Sequence, residues 1–131
     1  MSNSRITTKE RNLLKGAIRR VFSRSELRKN AIAATRIVHH DAERPRVKKW
    51  CRCTDCLQPT AEYQMDCDHV DPIIPVTTSL EEMAWDEVVN RVFCDPSNLR
   101  GICKPCHKTK TKAENKARAD RRRELKRKSG C

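Results

Sequence analysis

Eight side chains in this sequence have types and spacings that could do chemistry. Cys53-Thr54-Asp55-Cys56 and Cys103-Lys104-Pro105-Cys106 are two C-x2-C pairs with 46 residues between them. One such pair grips a metal ion from a tight turn, and two pairs complete a tetrahedral four-thiolate site. Four thiolates satisfy a zinc ion and leave no open position, so a structural ion is predicted, one that ties two distant segments together. Buried free thiols or redox pairs are the competing reading of the same spacing. The other four residues are Asp68, His69, Asn98 and His107. A carboxylate and two imidazoles can share a divalent ion and move a proton near neutral pH. A lone histidine is more often an ordinary surface or core residue. Here His107 directly follows a cysteine of the second pair, and Asp68-His69 ends a predicted strand. Adjacent side chains on a strand point to opposite sides. One can therefore hold a metal while the other faces a substrate, if the backbone bends there.

Cys51 lies two residues before Cys53 and could compete as a ligand. Cys67 and Cys94 read as small buried hydrophobes. Cys131 has no implied role.

The elements that must position these residues follow from periodicity. Residues 1–8 read as disordered. Leu13, Leu14, Ala17, Ile18, Val21 and Phe22 form a helical stripe over Lys9–Phe22, with Thr8 as a cap. Ser23 and Glu26 form a capping box for a second helix from about Arg24 to Val38. Asp41–Lys49 is a polar basic linker. Glu62–Cys67 alternates as a short strand, with Tyr63, Met65 and Cys67 on one side. Ser79 and Glu82 open a helix reaching about Val92, and Leu99–Ile102 is a second short strand. A helix starts near Lys104 or Pro105, since proline suits a first turn. It continues into the charged stretch 108–127.

The chain has 131 residues, 37% hydrophobic and 4% aromatic. That predicts a thin core in need of a staple. The net charge of +12 is unevenly spread. Residues 1–50 carry 14 Lys and Arg against 4 Asp and Glu, residues 51–107 carry 4 against 10, and residues 108–131 carry 11 against 3. Two basic arms around an acidic centre predict a polyanionic partner, nucleic acid first, with an anionic membrane surface or a protein partner as alternatives. No aromatic interleaves the cations after His107, so backbone contact is expected there and not base stacking. No apolar run suggests a signal peptide or a membrane helix. A reducing cytoplasmic setting is therefore expected, where close cysteines favour metal over disulfides.

In order, Cys53-x2-Cys56, Asp68-His69-Val70-x-Pro72, and Asn98-Leu99-x2-Ile102-Cys103-x2-Cys106-His107-x2-Lys110-Thr111 resemble the HNH endonucleases. The pattern is most similar to the small HNH proteins of tailed bacteriophages, and covers about residues 50–116. The resemblance implies an α+β fold: a small zinc-stapled ββα-metal core with an N-terminal helical pair and a basic C-terminal helix. It divides the chain into a basic helical extension (1–49), the nuclease core with its four-cysteine zinc site (50–116) and a basic tail (117–131). It implies hydrolysis of DNA phosphodiester bonds, by nicking or double-strand cleavage, leaving 5′-phosphate and 3′-hydroxyl ends. His69 would be the general base, Asp68 and His107 the ligands of one catalytic divalent ion (Mg, Mn, Ni or Zn), and Asn98 a positioning residue. Thr111 stands where some relatives carry another metal ligand, so no third protein ligand is implied. Arg100, Lys108, Lys110 and Lys112 are expected at DNA phosphates. A phage terminase is an implied partner, and a phage-encoded protein would act in the host cytoplasm. A non-catalytic zinc-ribbon nucleic-acid-binding module is the alternative reading.

Overall fold

A computed structural model describes residues 6–130. Most of the stretch expected to be disordered, and the thiol of Cys131, lie outside the described residues. The elements run α1 (Thr8–Ser23), α2 (Glu26–Ala33), β1 (Arg36–Ile37), β2 (Trp50–Arg52), β3 (Pro59–Ala61), β4 (Met65–His69), α3 (Trp85–Val92), β5 (Leu99–Cys103) and α4 (Lys104–Lys128). Among the described residues the fold is mixed helix and sheet, with four α-helices and two small sheets. β1, β2 and β3 form one antiparallel sheet. β4 and β5 form the other, in a register that sets Met65 opposite Cys103, Asp68 opposite Arg100 and His69 opposite Leu99. The chain leaves β5 straight into α4, with Pro105 in its first turn, as the sequence predicts.

Two apolar clusters hold these layers. Phe22, Ile73, Leu80, Met83, Val88, Val92 and Leu99 make one. Ile32, Cys51, Cys53, Met65, Ile102 and Cys103 make the other, against the cysteine pairs. Phe22 of α1 and Ile32 of α2 thus share buried clusters with the acidic centre of the chain. Much of the α1 stripe faces solvent, however: Leu13, Leu14 and Val21 are exposed.

Several expected boundaries shift, each for a local reason. α1 is capped by Thr7, whose hydroxyl accepts the Glu10 N–H while Glu10 accepts the Thr7 N–H. α2 is capped by Ser25 instead of Ser23. It ends at Ala33 rather than near Val38, because Arg36 and Ile37 pair with Cys51 and Trp50 as β1. β-branched residues and a waiting strand edge outweigh helix propensity there. Residues 62–64 form a 3-10 turn, with Tyr63 exposed, and β4 starts only at Met65. Thr78 takes the Glu82 carboxylate that a capping box would have used. Residues 80–82 form a 3-10 turn, and α3 starts at Trp85.

β5 is packed tightly enough to need its glycine. A Cβ on Gly101 would lie 2.8 Å from Thr35 Cγ2 and 3.3 Å from Met65 Cε. Gly101→Ala is expected to lower stability by about 1–3 kcal/mol, the range for overpacking. Chemical denaturation checks this, and an unchanged midpoint would show that Thr35 yields freely.

Candidate functional site

The cysteines come first because they fix the entry to α4. The Sγ atoms of Cys53, Cys56, Cys103 and Cys106 all lie within 4.8 Å of one another, with Cys56 and Cys103 3.9 Å apart. Zinc–sulfur bonds of about 2.3 Å in a tetrahedron put sulfurs about 3.8 Å apart. The cluster therefore fits a structural metal ion such as zinc. Cys51 stands outside it, with its thiol towards the Ile32 carbonyl and Glu62. Burial pushes the Cys53 thiol up, but backbone N–H groups of Cys103, Cys56 and Asp55 point at its sulfur and together bring it down to about 6. Cys106 is pushed up, first by its contact with Cys103. Four thiols this close resist losing their protons together unless a cation offsets the charge. Cys67 is pushed up to about 11 by burial, as befits a packing thiol. The first knuckle reverses at Leu57, whose φ of 64° lies in the left-handed region. That costs a non-glycine residue about 1–2 kcal/mol, a strain the closed cluster can hold in place.

Beyond the second knuckle, β4, β5 and α4 bring Asp68, His69 and His107 to one cleft of about 670 Å³. Asp68 is only 3% exposed. Its Oδ2 accepts from Arg100 Nε at 3.0 Å and its Oδ1 from Lys110 Nζ at 3.1 Å. His107 Nε2 lies 3.8 Å from Asp68 Oδ1. On its other side His107 Nδ1 meets Asp66 Oδ2 at 3.0 Å. Asp66 is an acceptor when ionised, so Nδ1 carries a hydrogen and Nε2 is the nitrogen that faces Asp68. Burial pushes Asp66 up, but Lys104 and His107 outweigh it and hold the carboxyl below its usual range.

His69 is half-buried, with its ring 5.0 Å from that of Phe22. Its Nε2 lies 2.8 Å from the Val92 carbonyl oxygen. That oxygen only accepts, so Nε2 is protonated and Nδ1 is left as a base. Burial is the main cause that lowers the His69 pKa, and the charges of Arg19 and Lys110 add to it. The ring is therefore neutral at physiological pH. Asn98 binds the turn just after His69: its Oδ1 accepts the Asp71 N–H at 2.8 Å and its Nδ2 donates to the Asp71 carbonyl at 3.2 Å. The Asn98 carbonyl accepts the Val70 N–H at 2.8 Å. Arg91 straps the same loop through the carbonyls of Pro72 and Ile73.

Of the four cations expected at phosphates, Lys108 and Lys112 are exposed. Arg100 and Lys110 instead turn onto Asp68, and Lys110 also donates to the His69 carbonyl at 2.9 Å and to Glu114 at 2.8 Å. The strand register sets Arg100 opposite Asp68, and α4 carries Lys110 one turn past His107. Other cations line the cleft: Lys15, Arg19, Arg118, Arg121 and Arg122. Lys15 is lowered by burial first and then by the charges of Arg19 and Arg118, a sign of concentrated positive potential. Three participants were not singled out from the sequence. Phe22 reads from the sequence as part of the α1 stripe, Arg91 only as part of a stretch, Trp85 to Phe93, similar to the HNH group, and Asp66 as a nearby carboxylate without a motif position. Only the i, i+2 placement of Asp66 and Asp68 on one strand could have flagged Asp66.

No helix among the described residues is long and apolar enough to cross a membrane. Comparison with protein families, with curated proteins and with solved structures found no match for this chain, so its activity must be read from these side chains.

Proposed function

We propose that this chain is a metal-dependent endonuclease of the HNH type that hydrolyses DNA phosphodiester bonds. The observation that carries the reading is the joint placement of Asp68, His69 and His107 in one cation-lined cleft, with His69 tied so that Nδ1 is free. The donor set fits a hard or borderline divalent ion such as Mg, Mn, Ni or Zn: one carboxylate oxygen and one imidazole nitrogen, 3.8 Å apart. Asp68 and His107 would hold that ion, which when bound supplies positive charge against the scissile phosphate and the leaving 3′ oxygen. Asp66 orients His107, the usual way a ligating histidine is steadied through its other nitrogen. His69 Nδ1 takes the proton of the attacking water, and Phe22, Val92 and the Asn98-bound turn fix the direction from which it does so. Lys15, Arg19 and the α4 arginines hold the backbone of the substrate by charge, without reading sequence. The four-cysteine ion, proposed as zinc, has no open position and takes no part in the reaction.

DNA is the proposed partner, and a phage terminase a further one on resemblance alone. A non-catalytic zinc-ribbon binding module accounts for the cysteines and the charge. It gives no reason for the Asp66–His107 link or for a half-buried neutral His69. Plasmid conversion by purified protein, alone and with Mg, Mn, Ni or Zn added, tests the proposal. Nicked or linear product that depends on the added ion is expected. If DNA is bound but left intact with every ion, the binding module is the better reading.

Binding itself should be strongly salt-dependent. If the five cleft cations each neutralise a phosphate of duplex DNA, log affinity falls against log salt with a slope of about −4.5. Charge reversal at Arg122 should reduce that slope by about 0.9. An unchanged slope would place the duplex elsewhere on the molecule.

A further inference from the structure

A second concave surface, of about 650 Å³, shares no lining residue with the cleft. It lies between α2, the segment before β2, and the 3-10 turn before β4. Seven of its twelve lining residues are Lys or Arg, and one, Glu62, is acidic. Three of the cations have acidic partners: Arg36 with Glu62, Lys104 with Asp66 and Lys29 with Glu26. Arg28, Arg46, Lys48 and Lys49 meet no acidic side chain among the described residues. The floor is apolar, made of Ile32, Val47 and Met65. At the rim stands Tyr63, 66% exposed.

Unpaired charges converging on a concave surface repel one another and cost stability, unless an anion offsets them. Their placement is built into the fold. The Glu62 N–H donates to the Lys49 carbonyl at 3.0 Å, so Lys48 and Lys49 are tied beside the turn that carries Tyr63. A flat aromatic beside a row of free cations is the combination that holds unpaired nucleotides, with phosphates on the charges and a base on the ring. A few extended nucleotides can lie along such a groove, and their unpaired bases can reach the Tyr63 ring, which the bases stacked inside a duplex cannot. We propose that this groove binds a single-stranded nucleic-acid segment, with phosphates on Arg28, Arg46, Lys48 and Lys49 and a base stacked on Tyr63. It does not rest on the nuclease reading, because the groove contains none of the cleft residues.

The test is fluorescence anisotropy of a labelled oligothymidylate and of a labelled hairpin duplex, with the full chain and no added divalent ion. Tyr63→Ala should weaken oligothymidylate binding about tenfold, within the range for loss of one stacked base. It should leave duplex affinity unchanged, and Tyr63→Phe should restore the single-strand affinity. Lys48→Glu with Lys49→Glu should weaken single-strand binding and cut its salt slope by about 1.4, at about 0.7 per phosphate. These side chains are exposed, so thermal midpoints should match the parent and report that the fold is kept. Tyr63→Ala binding oligothymidylate as tightly as the parent overturns the stacking site. An equal loss on strand and duplex overturns its preference for single strands. Unchanged binding by the lysine variant overturns the groove altogether. Failure of plasmid cleavage would leave all three outcomes readable.

Discussion

Replacing His69 with alanine is expected to slow plasmid cleavage by about 10²–10⁴-fold, the usual contribution of a positioned general base. Zinc content and duplex affinity should stay near those of the parent, since His69 belongs to neither set of metal ligands and carries no phosphate-binding charge. The fold should survive as well. The substitution removes one hydrogen bond, from Nε2 to the Val92 carbonyl, and the face that Phe22 packs on. A lost hydrogen bond of this kind costs about 0.5–1.5 kcal/mol. His107→Ala should also stop cleavage, but through weaker hold on the divalent ion, so excess metal should recover part of the rate. Asp66→Asn should need about 10–100-fold more ion, as loss of a partner behind a ligating histidine typically does. A metal titration of plasmid nicking separates the three variants. Cleavage by His69→Ala at the parental rate would remove His69 from the reaction.

Removing the zinc proposed for the four-cysteine cluster should do more damage to the fold than any single apolar substitution. Binding energy at such a site is folding energy, because the unfolded chain has no preformed cluster. Cys53, Cys103 and Ile102 also belong to the buried cluster that contains Ile32 and Met65. Cys103→Ser leaves three thiols and an unmatched hydroxyl among them. A loss of several kcal/mol follows, and a fall of more than about 10 °C in thermal midpoint for a chain of this size. Elemental analysis of the parent should give close to one zinc per chain. Folded protein without zinc would refute the structural role. His107 follows Cys106 directly, so chelation should also disorder the face proposed as catalytic and abolish nicking even after Mg or Mn is restored.

The parts of the fold legible in the sequence are those that short-range chemistry dictates. The C-x2-C spacing brought four sulfurs to one point because each pair spans a single turn. Pro105 marked the start of α4, and the run after Asn98 marked β5. What the sequence hid was decided by distant partners. β1 exists because Trp50 and Cys51 offer an edge to Arg36 and Ile37. Ser23 and Ser79 have the right neighbours for caps, but Ser25 caps α2 in place of Ser23, and Ser79 precedes only a 3-10 turn while Glu82 accepts from Thr78. At the site, Asp68, His69, Asn98 and His107 are placed by the β4–β5 register and the helix that follows. The inward turn of Arg100 and Lys110 follows from burial of Asp68, which draws cations to it. Spacing alone does not reveal burial.

The length of α4 has a consequence of its own. Its 25 residues extend about 37 Å at 1.5 Å per residue. Contacts with the body reach Arg118, which donates to the Ile74 carbonyl, and Arg121, beside Glu82. Past that point the pairs found among the described residues are internal to the helix: Arg123 with Asp120, and Arg127 and Lys128 with Glu124. A stretch this short, whose ion pairs among the described residues are all of this internal kind, is marginal in water. Amide hydrogens should therefore exchange along a gradient, slow up to Arg118 and fast beyond Arg122, with the fast end quickened further by salt. A polyanion laid along those last turns would take over the work of Asp120 and Glu124 as counter-charge, and the fast end would become slow.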